Sequence, residues 1–571
     1  MPINEKIFCN PDKKNNDSSK EKKNIICEYD SVVVPNTNEP NIKLSGINKT
    51  ISFSASIPTA LRIHFILTRE MGIPSYYKFL CDRNPKIIQK DYTQNGKVVL
   101  CLDFNCIVYY CLHKMAPYNG DVMPYEAKLI EEVCKYVTHI YKSSGAHEVY
   151  IAVDGVVPMA KMKQQRLRRF KSVVMEELEI QQGVRTRDQP VWDRNCITPG
   201  TLFMKKLDRA LSELCERHKW TLNGFNGHGE GEHKVMAHIR SLPEGTTCLV
   251  YGLDADLILL SMLNSFNNKT LYLMREEMEF NKVVSDAFLY LSINDLKNAY
   301  FENPTLQTVT DYIMMMSLLG NDFLPHSLSL TIKEGGHTLL FNLLKQFHSE
   351  HKYLVVHGKV DWANLQAFIK EFMKDETYNI HDVIKKKSET KFFRMNKQTA
   401  SEYDLKMAAV YVTPCKWFVE SAFYSPEKGL DASWREIYYK QFLHKEKALV
   451  EYCKGLQWIL DYYLGKPVEF DWYYPWMYVP LWEDLYNYLH VDPIISFTYN
   501  PWIEAEQQLA LVLPVKSYDL VQNPKYKNFP ALYPQYFPTQ FGFHSLGKKW
   551  FYECESAIPI FTSKFLRKIL A

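Results

Sequence analysis

Among the thirteen cysteines of this 571-residue chain there is no Cys-x-x-Cys pair. Scattered thiols of that kind build neither a zinc module nor a disulfide framework, and they fit a reduced, intracellular setting. Long apolar runs are missing too: none reaches the roughly 18 residues needed to span a bilayer, and no compact apolar segment with a signal cleavage site stands at the N-terminus. Charge of one sign is scarce, since 68 Lys and Arg face 65 Asp and Glu for a net +3. A nucleic-acid partner can therefore be met only by a local patch. No internal repeat appears, and low-complexity sequence is confined to the N-terminal KKNNDSSKEKKN. The expectation is a soluble protein with no membrane partner.

What is present is a globular composition, 46% hydrophobic, in a chain too long for one ordinary core. Residues 1–70 read as a poorly ordered extension, and Met71 of MGIPSYYKFL is a second candidate start of translation. The rest divides into 71–345, where short buried-strand runs alternate with helical ones, and 346–571, which is mainly helical and rich in aromatics. The charged KKKSETK near 385 is read as an exposed connection. The expected class is α/β, a parallel-sheet core with a mainly helical second region.

Three β-rich runs, KVVLCLD, HEVYIAVD and TCLVYGLDAD, each end in Asp. Ligands bind outside the carboxyl ends of the strands in open α/β sheets, so Asp103, Asp154, Asp254 and Asp256 are expected in one crevice. Glu230 and Glu232 of GHGEGEHK and Asp322 of SLLGNDFLP bring the acids to seven. Any one strand-end Asp can equally cap the following helix. Together they repel by roughly 4 kcal/mol per pair about 4 Å apart, which divalent cations relieve. Oxygen donors without a Cys or His set favour two Mg²⁺, or Mn²⁺, and water attack on a phosphodiester.

After Asp154, Pro158 opens a helix on which Lys161, Gln165, Arg168 and Arg169 share one face. A charge run is commonly just a solvated helix face. Placed seven residues past a proposed metal ligand, this one suits a terminal phosphate.

The motifs VDGVVPMAKMKQQRLRRF, NCITPGTLFM, GHGEGEHKVM, YGLDADLILL and SLLGNDFLPH, with GLQWILDYYL and DWYYPWMYVP further on, resemble the Xrn family of 5′-to-3′ exoribonucleases from Met71 onward. The resemblance implies a PIN/FEN-like nuclease core completed by the second region. It also implies metal binding and catalysis by the seven acids, and a 5′-phosphate pocket of Lys161, Gln165, Arg168 and Arg169. The substrate would be single-stranded 5′-monophosphate RNA, degraded processively to mononucleotides by a monomer without a nucleotide cofactor. Tyr109 stands where the family has a base-stacking His, and Trp472, then Trp458, is the candidate for the opposing aromatic. NSFNNKTLYLMREEMEF carries no Cys and His insertion of the nuclear branch, so the cytoplasmic branch and a cytoplasmic location are expected, with a nuclear one left open. The chain stops near where that branch's accessory domains would begin, as in a compact viral or divergent form. Two rivals remain, a flap endonuclease and an inactive RNA-binding scaffold.

Overall fold

The structure, a computed structural model, describes residues 76–252, 254–279, 282–389, 402–411 and 424–570. The proposed extension over 1–70 lies outside the described residues.

Seven strands form the central sheet: β1 (Ile88–Gln89), β2 (Val98–Asp103), β3 (Glu148–Ala152), β4 (Thr221–Asn223), β5 (Thr247–Tyr251), β6 (Thr270–Glu279) and β7 (Lys282–Ser292). Their spatial order is β1-β7-β6-β5-β2-β3-β4. The run from β6 to β4 is parallel, and β7 and β1 close one edge antiparallel.

β2 is buried on both faces, which is why it reads as an unbroken apolar run rather than an alternating one. The period of two still decides what each residue meets. Val98, Leu100 and Leu102 join the helices Val122–Ser144 and Leu202–His218 on one side. Val99 and Cys101 join Gly231–Ser241, Asp256–Asn264, Leu306–Ser317 and Lys445–Tyr463 on the other. Asp103 pairs in register with Ala152, and Leu102 with Tyr251, so β2, β3 and β5 end level. Neighbouring strands lie about 4.8 Å apart, and residues just past these ends are brought close whatever their separation in sequence.

After β7 the chain is mostly helical. The helix Glu376–Ser388 runs through Lys385, Lys386 and Lys387 of KKKSETK, which corrects the reading of that part as an exposed connection; Thr390 and Lys391 lie outside the described residues. Lys387 is buried there with its ammonium on the carbonyl of Ser545 at 2.8 Å. Its long stem reaches a bonding partner that a count of charges does not reveal.

Candidate active site

Asp103 is the last residue of β2, and Asp154 lies two residues past β3. Asp256 opens the helix Asp256–Asn264, and Asp254 sits just before it. Glu230 is the N-cap of Gly231–Ser241 and Glu232 lies in its first turn, where the helix dipole favours negative charge by roughly 0.3–1 kcal/mol. Asp322 follows Leu306–Ser317 in a turn fixed by Asn321, whose side chain accepts the N–H groups of Phe323 and Leu324.

The packing at this junction is tight. A Cβ on Gly231 would stand 2.5 Å from Asp103 Oδ1 and 2.9 Å from the carbonyl of Ala152. With only hydrogen there, the Gly231 N–H donates to Asp154 Oδ1 at 2.7 Å while Asn105 Nδ2 donates to Oδ2 at 2.8 Å. Both oxygens of Asp154 are thereby oriented.

Among the described residues, Lys161 reaches furthest into the acids. The Lys161 ammonium is 2.5 Å from Glu230 Oε2 and 2.7 Å from Asp322 Oδ2. Burial alone would lower its pKa, but Asp322, Glu230, Glu232 and Asp256 together push it well above the usual lysine range. Burial first, and then repulsion from Asp154, Asp254 and Glu230, holds Asp103 well above the ordinary carboxylate range. Burial likewise raises Glu230, Glu232 and Asp256, each beside other members of the group. Asp254 is pushed up to about 6 by burial and by Asp322 and Asp154, against the pull of Lys161 and Arg168. The seven acids predicted from dispersed motifs therefore converge, and Lys161 with Arg168 at the border is too little positive charge to neutralise them.

Does the cluster suit a metal? Asp256 Oδ1 is buried with no hydrogen-bond donor among the described residues. Glu230, Glu232 and His233 present ligand atoms within 4.8 Å of one another. These are mostly hard oxygen donors, the set that Mg²⁺ and Mn²⁺ accept.

His233 is a residue that sequence reasoning passed over, although it stands in GHGEGEHK. Burial, then Lys161 and Arg240, lowers it to about 3, so its imidazole is neutral, the ligating form. Its ring lies 3.8 Å from that of Tyr462, whose hydroxyl donates to Glu230 Oε1 at 2.7 Å. Tyr462 was missed as well. Its only signal was its place in GLQWILDYYL, a run that otherwise reads as helix core.

The basic face lies alongside. Arg169 is buried, donating to Gln165 Oε1 at 3.3 Å and Thr198 Oγ1 at 3.0 Å. Burial, then Arg168, lowers it to about 10, with Tyr109 and Asp154 acting the other way. Arg168, Arg169, Gln165 and Tyr109 thus border the acids, whereas Lys161 is drawn into them. Trp472 is not brought to this face: it is 4% exposed, its indole N–H donates to Glu451 at 2.9 Å, and a Cβ on Gly455 would touch its ring at 2.9 Å. Trp458 is fully buried against Tyr462, with its N–H on the carbonyl of Glu469.

Residues 71–277 match the family described as XRN 5′-3′ exonuclease N-terminus, and residues 305–419 and 430–538 match the Xrn1 helical domain. The chain is 26% identical to 5′-3′ exoribonuclease 1 of Saccharomyces cerevisiae, over 82% of this chain and 40% of that protein. It is 27% identical to 5′-3′ exoribonuclease 1 of Homo sapiens, over 87% of this chain and 34% of that protein. With 5′-3′ exoribonuclease 2 of Arabidopsis thaliana it shares 24% identity, over 88% of this chain and 67% of that protein. The chain spans less than half the length of the exoribonuclease 1 relatives.

Proposed function

The chain belongs to the Xrn family of 5′-3′ exonucleases, and from that premise we propose that it is a 5′-to-3′ exoribonuclease. It acts on single-stranded RNA, grips the 5′ monophosphate, and releases nucleoside 5′-monophosphates processively. The observation that carries this reading is the convergence of Asp103, Asp154, Glu230, Glu232, Asp254, Asp256 and Asp322 around Lys161, beside Arg168 and Arg169. When bound to these carboxylates, Mg²⁺ or Mn²⁺ as a pair supplies Lewis-acid stabilisation of charge on the phosphodiester oxygens.

The chain's own groups do the rest. Arg168, Arg169 and Gln165 hold the terminal phosphate, with the guanidinium groups suited to bidentate contacts. Tyr109, close enough to act on Arg169, offers a ring to the leading base. Asn105 and the Gly231 N–H keep Asp154 aimed at the crevice, and Tyr462 does the same for Glu230. By resemblance to the cytoplasmic branch, we read it as a monomeric enzyme of cytoplasmic RNA decay.

The test is digestion of matched RNAs bearing 5′ monophosphate, triphosphate or hydroxyl, with and without Mg²⁺. Mononucleotides are expected only with the ion, fast from the monophosphate RNA and far more slowly from the hydroxyl RNA. Oligonucleotide products cut at a duplex junction would point to a flap endonuclease.

A further inference from the structure

A cavity of about 420 Å³ opens beside the acidic cluster, within the roughly 300–1,000 Å³ range of small-molecule sites. Gln164 and Leu167 supply its helix wall, on the flank of Met159–Gln181 next to the one that carries Gln165 and Arg169. Asp322 lies in its lining and also binds the Lys161 ammonium at 2.7 Å, so the cavity meets the acidic cluster.

The charges of the lining do not balance. Lys333 pairs with Glu553 at 3.3 Å and Lys386 with Glu334 at 2.8 Å. The buried Lys163 donates to the carbonyls of Tyr474 and Trp476 and is influenced by Glu555. Lys548 and Lys549 form no ion pair among the described residues, and Glu553, which burial would raise, is held low by Lys333 and then, from a longer range, by Lys548. Their segment is held in place by Glu553, which accepts the N–H groups of Lys549 at 2.9 Å and Trp550 at 3.3 Å. Trp550 and Tyr552 add aromatic rings to the same lining. Five lysines line the cavity against four carboxylates, and the two ammonium groups outside any ion pair, beside an indole ring, suit a phosphate joined to a base.

We propose that this cavity receives the nucleoside 5′-monophosphate cut from the RNA, with Lys548 and Lys549 holding its phosphate and Trp550 its base. The proposal rests on the nuclease reading above, because that reaction makes this product. A product berth separate from the 5′-phosphate socket lets the mononucleotide leave while the shortened strand stays bound.

Adenosine 5′-monophosphate is the probe, titrated calorimetrically without divalent ions into Arg168→Ala, in which the socket is weakened. Binding should persist in that protein, and adding Lys548→Glu and Lys549→Glu should weaken it by roughly tenfold or more, as expected for lost charge-assisted contacts. Lys548→Gln alone, the milder variant if the charge reversals disturb folding, should weaken it by about threefold. The proposal falls if Arg168→Ala alone abolishes binding, or if affinity ignores both lysines in proteins that melt like the parent. A wild-type chain that digests no RNA, yet whose nucleotide affinity depends on both lysines, would sink the nuclease reading and leave the cavity standing.

Discussion

Two flanks of the helix Met159–Gln181 carry cations that look alike in sequence and meet different surroundings. On one flank Lys161, Arg168 and Arg169 border the carboxylates at the strand ends. On the other, Lys163, Arg166 and Lys171 end on backbone carbonyls of the C-terminal segments. Arg166 is 1% exposed and donates to the carbonyls of Leu511, Tyr536 and Pro559, with its guanidinium over Phe170 and Phe561. Lys171 caps Tyr552 and Cys554 at 3.2 and 3.0 Å. The first flank confronts negative charge that a ligand can take up, and the second satisfies acceptors that would otherwise be buried unpaired. One helix thereby fixes the C-terminal region relative to the acidic cluster.

The largest expected effect belongs to the acidic side. Asp256→Asn should lower RNA hydrolysis by about a thousandfold, equivalent to about 4 kcal/mol of transition-state stabilisation. RNA binding, followed by fluorescence anisotropy, should stay measurable. Near-normal turnover would remove the cluster from catalysis.

Next comes the carbonyl flank, where Arg166→Ala empties an aromatic cage and leaves carbonyls without donors. A loss of roughly 3 kcal/mol in urea unfolding is expected, against under about 1 kcal/mol for Arg168→Ala. Equal losses would erase the distinction between the flanks. Arg168→Ala should instead reduce activity on 5′-monophosphate RNA by roughly ten- to a hundredfold relative to 5′-hydroxyl RNA. Equal losses on both substrates would remove its role in reading the 5′ end.

The smallest effect concerns pH. Burial lowers Lys163 to about 7 from its ordinary value, so the unfolded chain binds its proton over a range where the folded one does not. The stability tied to this group is full above the unfolded value, falls as pH drops, and is gone below about 7. Lys163→Met should flatten the dependence of melting temperature on pH between 7 and 10.5. An unchanged slope would mean that the ammonium is not desolvated.

Much of the site was legible in the sequence because each acid sits next to a local signal. A β-rich run ending in Asp, or a Gly-rich turn before a helix, fixes where a side chain emerges from its own element. His233 and Tyr462 were not legible, since their roles depend on a ring contact between helices more than two hundred residues apart. Thr198 stood within a motif read as resemblance and Asn105 two residues past the run KVVLCLD, yet only their hydrogen bonds to Arg169 and Asp154 show what they do. KKKSETK misled because composition alone does not reveal that Lys387 reaches a carbonyl.

The sequence by itself determined the parallel part of the sheet and the delivery of the strand-end acids to its carboxyl edge, because strand period and strand ends are local properties of the chain. The antiparallel edge of β7 and β1 was not read from it. Only the tertiary structure decided which cation enters the acids, which cations hold the C-terminal segments, and that the rings of Trp458 and Trp472 lie in the core. Those outcomes depend on which surfaces exclude water together, and the free energy of a buried charge or ring is set by neighbours distant in sequence.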